Sequence, residues 1–195
     1  SRVMAYSSGE QRNDALRHTA ERLRTRMSKI LHANAIDMER GEQKGLSSAM
    51  LDRLRLDEER INDMAMACEQ ILALEDPIGQ VIEEWSRPNG LHIQKVRVPI
   101  GVIGIIYESR PNVTIDAASL CLKAGNAALL RGGSEAINSN LALGEVLTDA
   151  CRDAGLPVGA VEILDFTDRE AVRAMAQLSE YIDLIIPRGG HDLIR

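Results

Sequence analysis

Two arginine–glycine–glycine triplets, Arg131-Gly132-Gly133 and Arg188-Gly189-Gly190, each follow a short apolar run. A third polar segment, Glu108-Ser109-Arg110-Pro111-Asn112, follows another. Glycine lets the backbone approach a ligand, and the free amides at a helix start favour anions. Arginine adds a forked, permanent charge suited to phosphate. One such loop is as often a plain turn with a solvated arginine. Two in the same half of the chain favour an anion site.

Other chemistries are poorly served. Cys68, Cys121 and Cys151 are far apart and form no CxxC pair, which disfavours a disulfide framework and fits a reducing, cytoplasmic compartment. Cys68 and Cys121 fall in apolar stretches and read as core. Cys151, near a helix end, reads as a peripheral bystander. The histidines His18, His32, His92 and His191 show no metal-ligand spacing, so no metal is expected. No Ser/His/Asp order or paired-carboxylate motif stands out. The GxGxxG dinucleotide fingerprint is absent, and Gly101 and Gly104 read as close packing within a strand.

The elements that must position these loops follow from periodicity. Ser8 and Gln11 are spaced as a capping box, followed by Leu16, Ala20, Leu23, Met27 and Ile30–Leu31 on one face of a single helix. A break at Gly41–Gly45 precedes a short helix over Ser47–Leu56. Asp57 reads as the N-cap of a third helix with Ile61, Met64, Cys68 and Ile71–Leu72 on its apolar face, stopped by Asp76-Pro77. Val81–Trp85 and Leu91–Val98, joined by Arg87-Pro88-Asn89-Gly90, predict a hairpin.

After Pro99 four apolar runs appear: Ile100–Ile106, Ala127–Leu130, Val161–Leu164 and Ile182–Ile186. Helical stretches over Val113–Ala124, Ser134–Ala154 and Asp168–Leu178 separate them. Gly125 and Gly155 sit at C-cap positions, and Thr167 with Glu170 is spaced as a further capping box. The fold class is therefore α/β, an open parallel sheet with helices on both faces. Residues 1–79 read as a helical segment packing on that sheet domain, 80–98 as the hairpin and 99–195 as the α/β domain. Ligands in such sheets bind beyond the carboxyl ends of the strands, where the polar loops lie.

The chain has 195 residues, 45% of them hydrophobic, and a net charge of −6. That length buries a core without disulfides. With only three Tyr, one Trp and one Phe, and a negative balance, nucleic acid is not an expected partner. No apolar run approaches the roughly 18 residues that would span a membrane.

Val96–Thr114, which contains Pro99-Ile100-Gly101-Val102-Ile103-Gly104 and Glu108-Ser109-Arg110-Pro111-Asn112, resembles the signature of the gamma-glutamyl phosphate reductase family. So do Cys121–Ala127, Leu130–Ala136 and Tyr181–Gly190, in the same order. Ala33-Asn34-Ala35-Ile36-Asp37 and Leu51-Asp52-Arg53-Leu54 are similar to it as well.

The resemblance implies the aldehyde dehydrogenase superfamily, whose variant Rossmann domain lacks GxGxxG. It implies NADPH-dependent reduction of L-glutamyl 5-phosphate to glutamate 5-semialdehyde with release of phosphate, in proline biosynthesis. By that match the cofactor, NADP(H), would meet Arg131, Gly132, Gly133, Ser134, Glu135, Pro187, Arg188, Gly189 and Gly190. Arg131 and Ser134 would face the adenosine ribose and its 2′-phosphate. The substrate would meet Ser109, Arg110 and Asn112, with Asn112 also capping the next helix.

The family's nucleophilic cysteine belongs to a domain that follows Pro-Arg-Gly-Gly, and no cysteine here matches it. The chain therefore reads as an N-terminal, cofactor-binding part that is inactive alone. Dimers or tetramers, and a glutamate kinase partner or fusion, are implied by the same relatives. Two alternatives stand beside this reading. One is another aldehyde dehydrogenase with a different acyl substrate, though the Glu108-Ser109-Arg110-Pro111-Asn112 segment argues against it, since ordinary relatives carry Pro-Trp-Asn near there. The other is a non-catalytic nucleotide-binding or oligomer-forming module.

Overall fold

The Ser8 hydroxyl accepts the Gln11 amide at 3.1 Å, and Gln11 Oε1 accepts the Ser8 amide at 3.0 Å. In the computed structural model, which describes residues 1–166 and 168–190, this capping box opens α2. A single turn, α1 (Arg2–Ala5), precedes it. The expected long helix is two: α2 (Gly9–Thr25) and α3 (Met27–Gln43), broken at Arg26 with φ −104° and ψ 14°. Thr25 Oγ1 donates back to the Glu21 carbonyl at 3.0 Å. Such back-bonding bends helices, and the apolar spacing does not reveal it.

Ser47 caps α4 (Ser48–Leu54), and the Asp57 carboxylate accepts the Arg60 amide at 2.8 Å to cap α5 (Glu58–Ala73). The hairpin forms as predicted, with β1 (Val81–Ser86) antiparallel to β2 (His92–Val96). Both strands are largely exposed on both faces.

The second half alternates strand and helix: β3 (Val102–Tyr107), α6 (Asn112–Lys123), β4 (Ala127–Arg131), α7 (Ile137–Asp153), β5 (Val161–Ile163), α8 (Arg169–Gln177) and β6 (Leu184–Arg188). The four strands are parallel in the order β5-β4-β3-β6. The chain runs outward from β3 in one direction, then returns to add β6 on its other side. The crevice beyond β3 and β6 is thus a topological switch point, where open α/β sheets bind ligands. Gly125 and Gly155 both adopt φ +70° and end α6 and α7 as expected. The Thr167–Glu170 capping box involves Thr167, which lies outside the described residues; α8 takes Asp168 as its N-cap.

Two strand starts shift. β3 begins at Val102 because Ile100 and Gly101 donate their amides to Asn126 Oδ1, at 2.7 and 2.9 Å. Gly101 is therefore not in the strand. It adopts φ +134°, and a Cβ there would overlap the Asp183 carboxylate. Gly104 is within the strand and packed by Met175 and Ile182. β6 begins at Leu184 and carries Pro187 and Arg188 inside it, rather than after it. Proline is tolerated because β6 is an edge strand among the described residues.

One core joins the helices to the sheet. Leu23, Ile30, Ile61, Met64 and Cys68 pack with Ile115, Leu122, Leu130, Leu143 and Leu147. Burying each such side chain contributes roughly 1.5–3 kcal/mol. Cys151 is also core, at 3% exposure, so it is not peripheral. The last turns of α7 face α2, which covers the helix end that the sequence leaves open.

Candidate active site

The ends of three strands meet in register. Ile106 on β3 stands opposite Arg131 on β4 and Pro187 on β6, and Tyr107 stands opposite Arg188. This brings the three polar loops to one edge of the sheet. The Arg110 amide donates to the Glu108 carbonyl at 2.7 Å, and the Val113 amide to the Arg110 carbonyl at 3.0 Å. The first loop is thereby a tight turn into α6. Pro111 occupies the N-cap position and Asn112 is the first helical residue, so Asn112 is not the cap. Its Nδ2 donates instead to Asp116 Oδ2, one turn along, at 3.1 Å. Burial pushes the Asp116 carboxyl up, against the opposing pull of that bond and of Arg188.

Tyr107 anchors the site floor. Its hydroxyl and Thr114 Oγ1 lie 2.7 Å apart, and Thr114 Oγ1 donates to Asn140 Oδ1 at 3.0 Å. All three are buried, and burial pushes the phenol up to about 12 despite the Thr114 bond.

Three cavities open along this edge. The first, about 410 Å³, includes Arg110, Asn112 and Asp116 with residues of α4 and α5. The second, about 340 Å³, brings together Ser109, Arg110, Arg131, Gly133 and Glu135. The third, also about 340 Å³, lies at the switch point and holds Glu108, Arg110, Arg188, Gly189 and Gly190. The predicted substrate and cofactor residues thus share walls. Ser134, Gly132 and Pro187 line none of the three. Ser134 Oγ donates to Glu135 Oε1 at 3.1 Å.

The second and third loops are tied to the first. Ser109 Oγ donates to Glu135 Oε2, and the Gly190 amide donates to Glu108 Oε1 at 2.6 Å. Burial pushes the Glu135 carboxyl up, but bonds from Ser109, its own backbone and Ser134 outweigh it and hold the group below its ordinary value of 4.5. A Cβ on Gly132 would overlap Asn140 Nδ2, and one on Gly133 would overlap Ser109 Oγ. Packing alone therefore requires both glycines, whatever ligand comes near.

The helix amides beyond Gly133 already have an anion. Asp37 on α3, 1% exposed, accepts the Ser139 amide and hydroxyl at 2.7 and 2.6 Å and the Asn138 amide at 3.2 Å. Beside it, Asn34 bridges the Leu54 carbonyl, the Leu56 amide and Ser139 Oγ, fixing α4 and the start of α5 over the strand ends. Both residues lie in the Ala33–Asp37 segment that carries the family resemblance, and nothing in their spacing points to these tasks. The Asn138 and Ser139 amides, held by Asp37, are therefore not open to a ligand. Arg131, 9% exposed with a guanidinium nitrogen 3.5 Å from the Asp168 carbonyl, joins Arg53, Arg110 and Arg188 as cavity-lining groups of a type suited to phosphate. Such donors fit a phosphorylated dinucleotide held by side chains, without a Gly-rich phosphate loop.

Among the described residues no cluster of three or more His, Cys, Asp or Glu could hold a metal, and no helix is long and apolar enough to cross a membrane. All three thiols are buried. Burial pushes Cys68 and Cys121 up to about 11 and Cys151 to about 12.

A parallel sheet with a switch-point cleft and no GxGxxG loop defines a dinucleotide-type α/β scaffold. The chain belongs to the aldehyde dehydrogenase family, whose model matches residues 1–193. Within that family it is similar to the gamma-glutamyl phosphate reductase of Clostridium tetani, with 53% identity over 100% of this chain and 45% of the relative. The crystal structure of gamma-glutamyl phosphate reductase from Thermotoga maritima superposes with a TM-score of 0.97 at 47% identity, covering 99% of this chain and 47% of that one. The Saccharomyces cerevisiae enzyme of the same name gives 0.91 at 32% identity, covering 99% and 49%. The chain spans about half the length of the curated relatives it matches.

Proposed function

We propose that this chain is the cofactor-binding part of a gamma-glutamyl phosphate reductase. The enzyme would use NADPH to convert L-glutamyl 5-phosphate to L-glutamate 5-semialdehyde and phosphate, in cytoplasmic proline biosynthesis. The observation that carries the reading is the match along the whole chain to relatives of that name, with the resembling loops converging on one cleft.

NADPH, when bound, supplies a hydride to the acyl carbon. The chain's own residues bind and orient. Arg131 would pair with the 2′-phosphate, which favours NADP over NAD, and Glu135 would fix the loop that carries it. Pro187–Gly190 would form the far wall of the cofactor cleft. Arg110 would hold an anionic group of the substrate. Asn112, its amide oriented by Asp116, would present a neutral donor beside it. Ser109, committed to Glu135, would shape the wall between substrate and cofactor.

Three buried thiols with raised pKa values are poor nucleophiles. This supports a reading in which the attacking cysteine is not among these 195 residues and the chain alone does not turn over. The exposed Val81, Ile82, Trp85 and Leu91 of the hairpin support a homo-oligomer. A glutamate kinase partner or fusion rests on the relatives alone.

The test is glutamyl phosphate-dependent loss of NADPH absorbance. The full-length protein should show it and the 195-residue chain should not. Turnover by the chain alone would refute the assignment of the nucleophile elsewhere. No turnover by the full-length protein would refute the function.

A further inference from the structure

Arg53, on α4, and Arg110, after β3, are the two residues common to all three cavities at the strand ends. They come from different elements, so the cleft is flanked by two guanidinium groups. Neither forms an ion pair with a carboxylate among the described residues.

The acids around them do have partners. Asp52 takes Arg60 at 2.8 Å. Asp116 accepts from Asn112, Glu108 from the Gly190 amide, and Glu135 from Ser109 and Ser134. Only Asp63 among the acids lining these cavities lacks such a donor among the described residues. Arg53 and Arg110 are therefore the fork-shaped cations that reach all three cavities, and the carboxylates beside them are mostly engaged elsewhere.

A cation in the last turn of a helix, where Arg53 lies, also complements the helix dipole. That role needs no position over the cleft. The position is set independently by Asn34, which ties the Leu54 carbonyl at 2.8 Å and the Leu56 amide at 2.8 Å on the two sides of Arg55.

We propose that Arg53 and Arg110 form a two-point clamp for a substrate with two anionic ends, in which Arg53 takes the carboxylate and Arg110 the phosphoryl group. This rests on the reductase reading above. Arg110 is two residues from Asn112 and attached to the strand end, so it serves the reacting end. Arg53, carried by α4 and not by a strand end, serves the distal end. Bidentate pairing of each guanidinium would fix both position and register of an extended amino-acid acyl phosphate. An acyl substrate without the distal carboxylate would lose one of the two points, so the clamp is a specificity device.

Reversal of the reaction separates the two anions. Glutamate semialdehyde carries the carboxylate, inorganic phosphate is a separate substrate, and NADP⁺ accepts the hydride as phosphate joins the acyl group. In the full-length protein, Arg53→Gln should raise KM for the semialdehyde about ten- to hundredfold, the worth of a charge-assisted contact. KM for phosphate and for NADP⁺ should stay within about twofold, well below that worth. Arg53→Lys should recover part of the loss. An unchanged semialdehyde KM in Arg53→Gln, or a rise confined to phosphate, overturns the clamp while leaving the reductase reading intact. Absence of semialdehyde oxidation by the unmodified protein removes that reading, and the clamp with it.

Discussion

The Ser109 hydroxyl donates a 2.5 Å hydrogen bond to Glu135 Oε2 and so joins the loop after β3 to the loop after β4. The two residues lie in loops assigned to different ligands, and the structure makes them one wall. Removing the hydroxyl in Ser109→Ala should let the Glu135 carboxyl rise toward 4.5. Carboxyl-carbon NMR titration reads this directly. A group held low contributes stability that is fully present above about pH 4.5 and lost as pH falls through its lowered native value. Acid unfolding of Ser109→Ala should therefore be less steep in that window.

Asp37 carries the junction of α3 with α7. Asp37→Ala leaves the Asn138 and Ser139 amides and the Ser139 hydroxyl without their buried acceptor. A loss of about 2–4 kcal/mol in denaturant unfolding is expected, several times a typical surface substitution. A loss below about 0.5 kcal/mol would mean that water replaces the carboxylate at no cost.

Arg131→Ala tests the cofactor assignment. If the guanidinium pairs with a 2′-phosphate, the NADPH dissociation constant should rise about ten- to hundredfold and the NADH constant little. Equal weakening of both would show that Arg131 only shapes the loop.

Arg110→Ala in the full-length protein should lower kcat/KM for glutamyl phosphate about tenfold or more, with NADPH affinity nearly unchanged. A small kinetic effect with a lowered Tm would make Arg110 a structural residue.

The thiols offer a chemical check. Cys68, Cys121 and Cys151 should resist a thiol reagent at neutral pH in the folded chain, and all three should react after unfolding. Rapid modification of any one in the native state would contradict its burial.

Local chemistry was legible in the sequence wherever its cause is local. Ser8 with Gln11, Asp57, Gly125, Gly155 and the Arg87–Gly90 turn each act within a few residues, and each forms as its spacing predicts. The four apolar runs gave the parallel sheet, and the rule for such sheets gave the edge where the loops gather. What the spacing missed depends on distant partners. Asn112 looks like a cap until Pro111 takes that place and Asp116 takes its amide. Cys151 looks peripheral until α2 covers the end of α7. Arg53 sits in an ordinary short helix, and only the bonds from Asn34 show that this helix stands over the cleft. The break at Arg26 leaves no periodic trace, because the apolar face continues across it from α2 into α3.

The carboxylate of Asp37 is also a competitor. It is delivered to the α7 amides by the same polypeptide, so a diffusing anion faces it at an effective concentration of roughly millimolar or above, with no translational entropy left to lose. Phosphate groups arriving from solution are thereby excluded from the first turn of α7. On the proposed reading, recognition of a phosphorylated ligand would pass to Arg131 and its neighbours, which can be changed one at a time. On that reading, cofactor preference could therefore drift by substitution of side chains while the start of α7 stays closed.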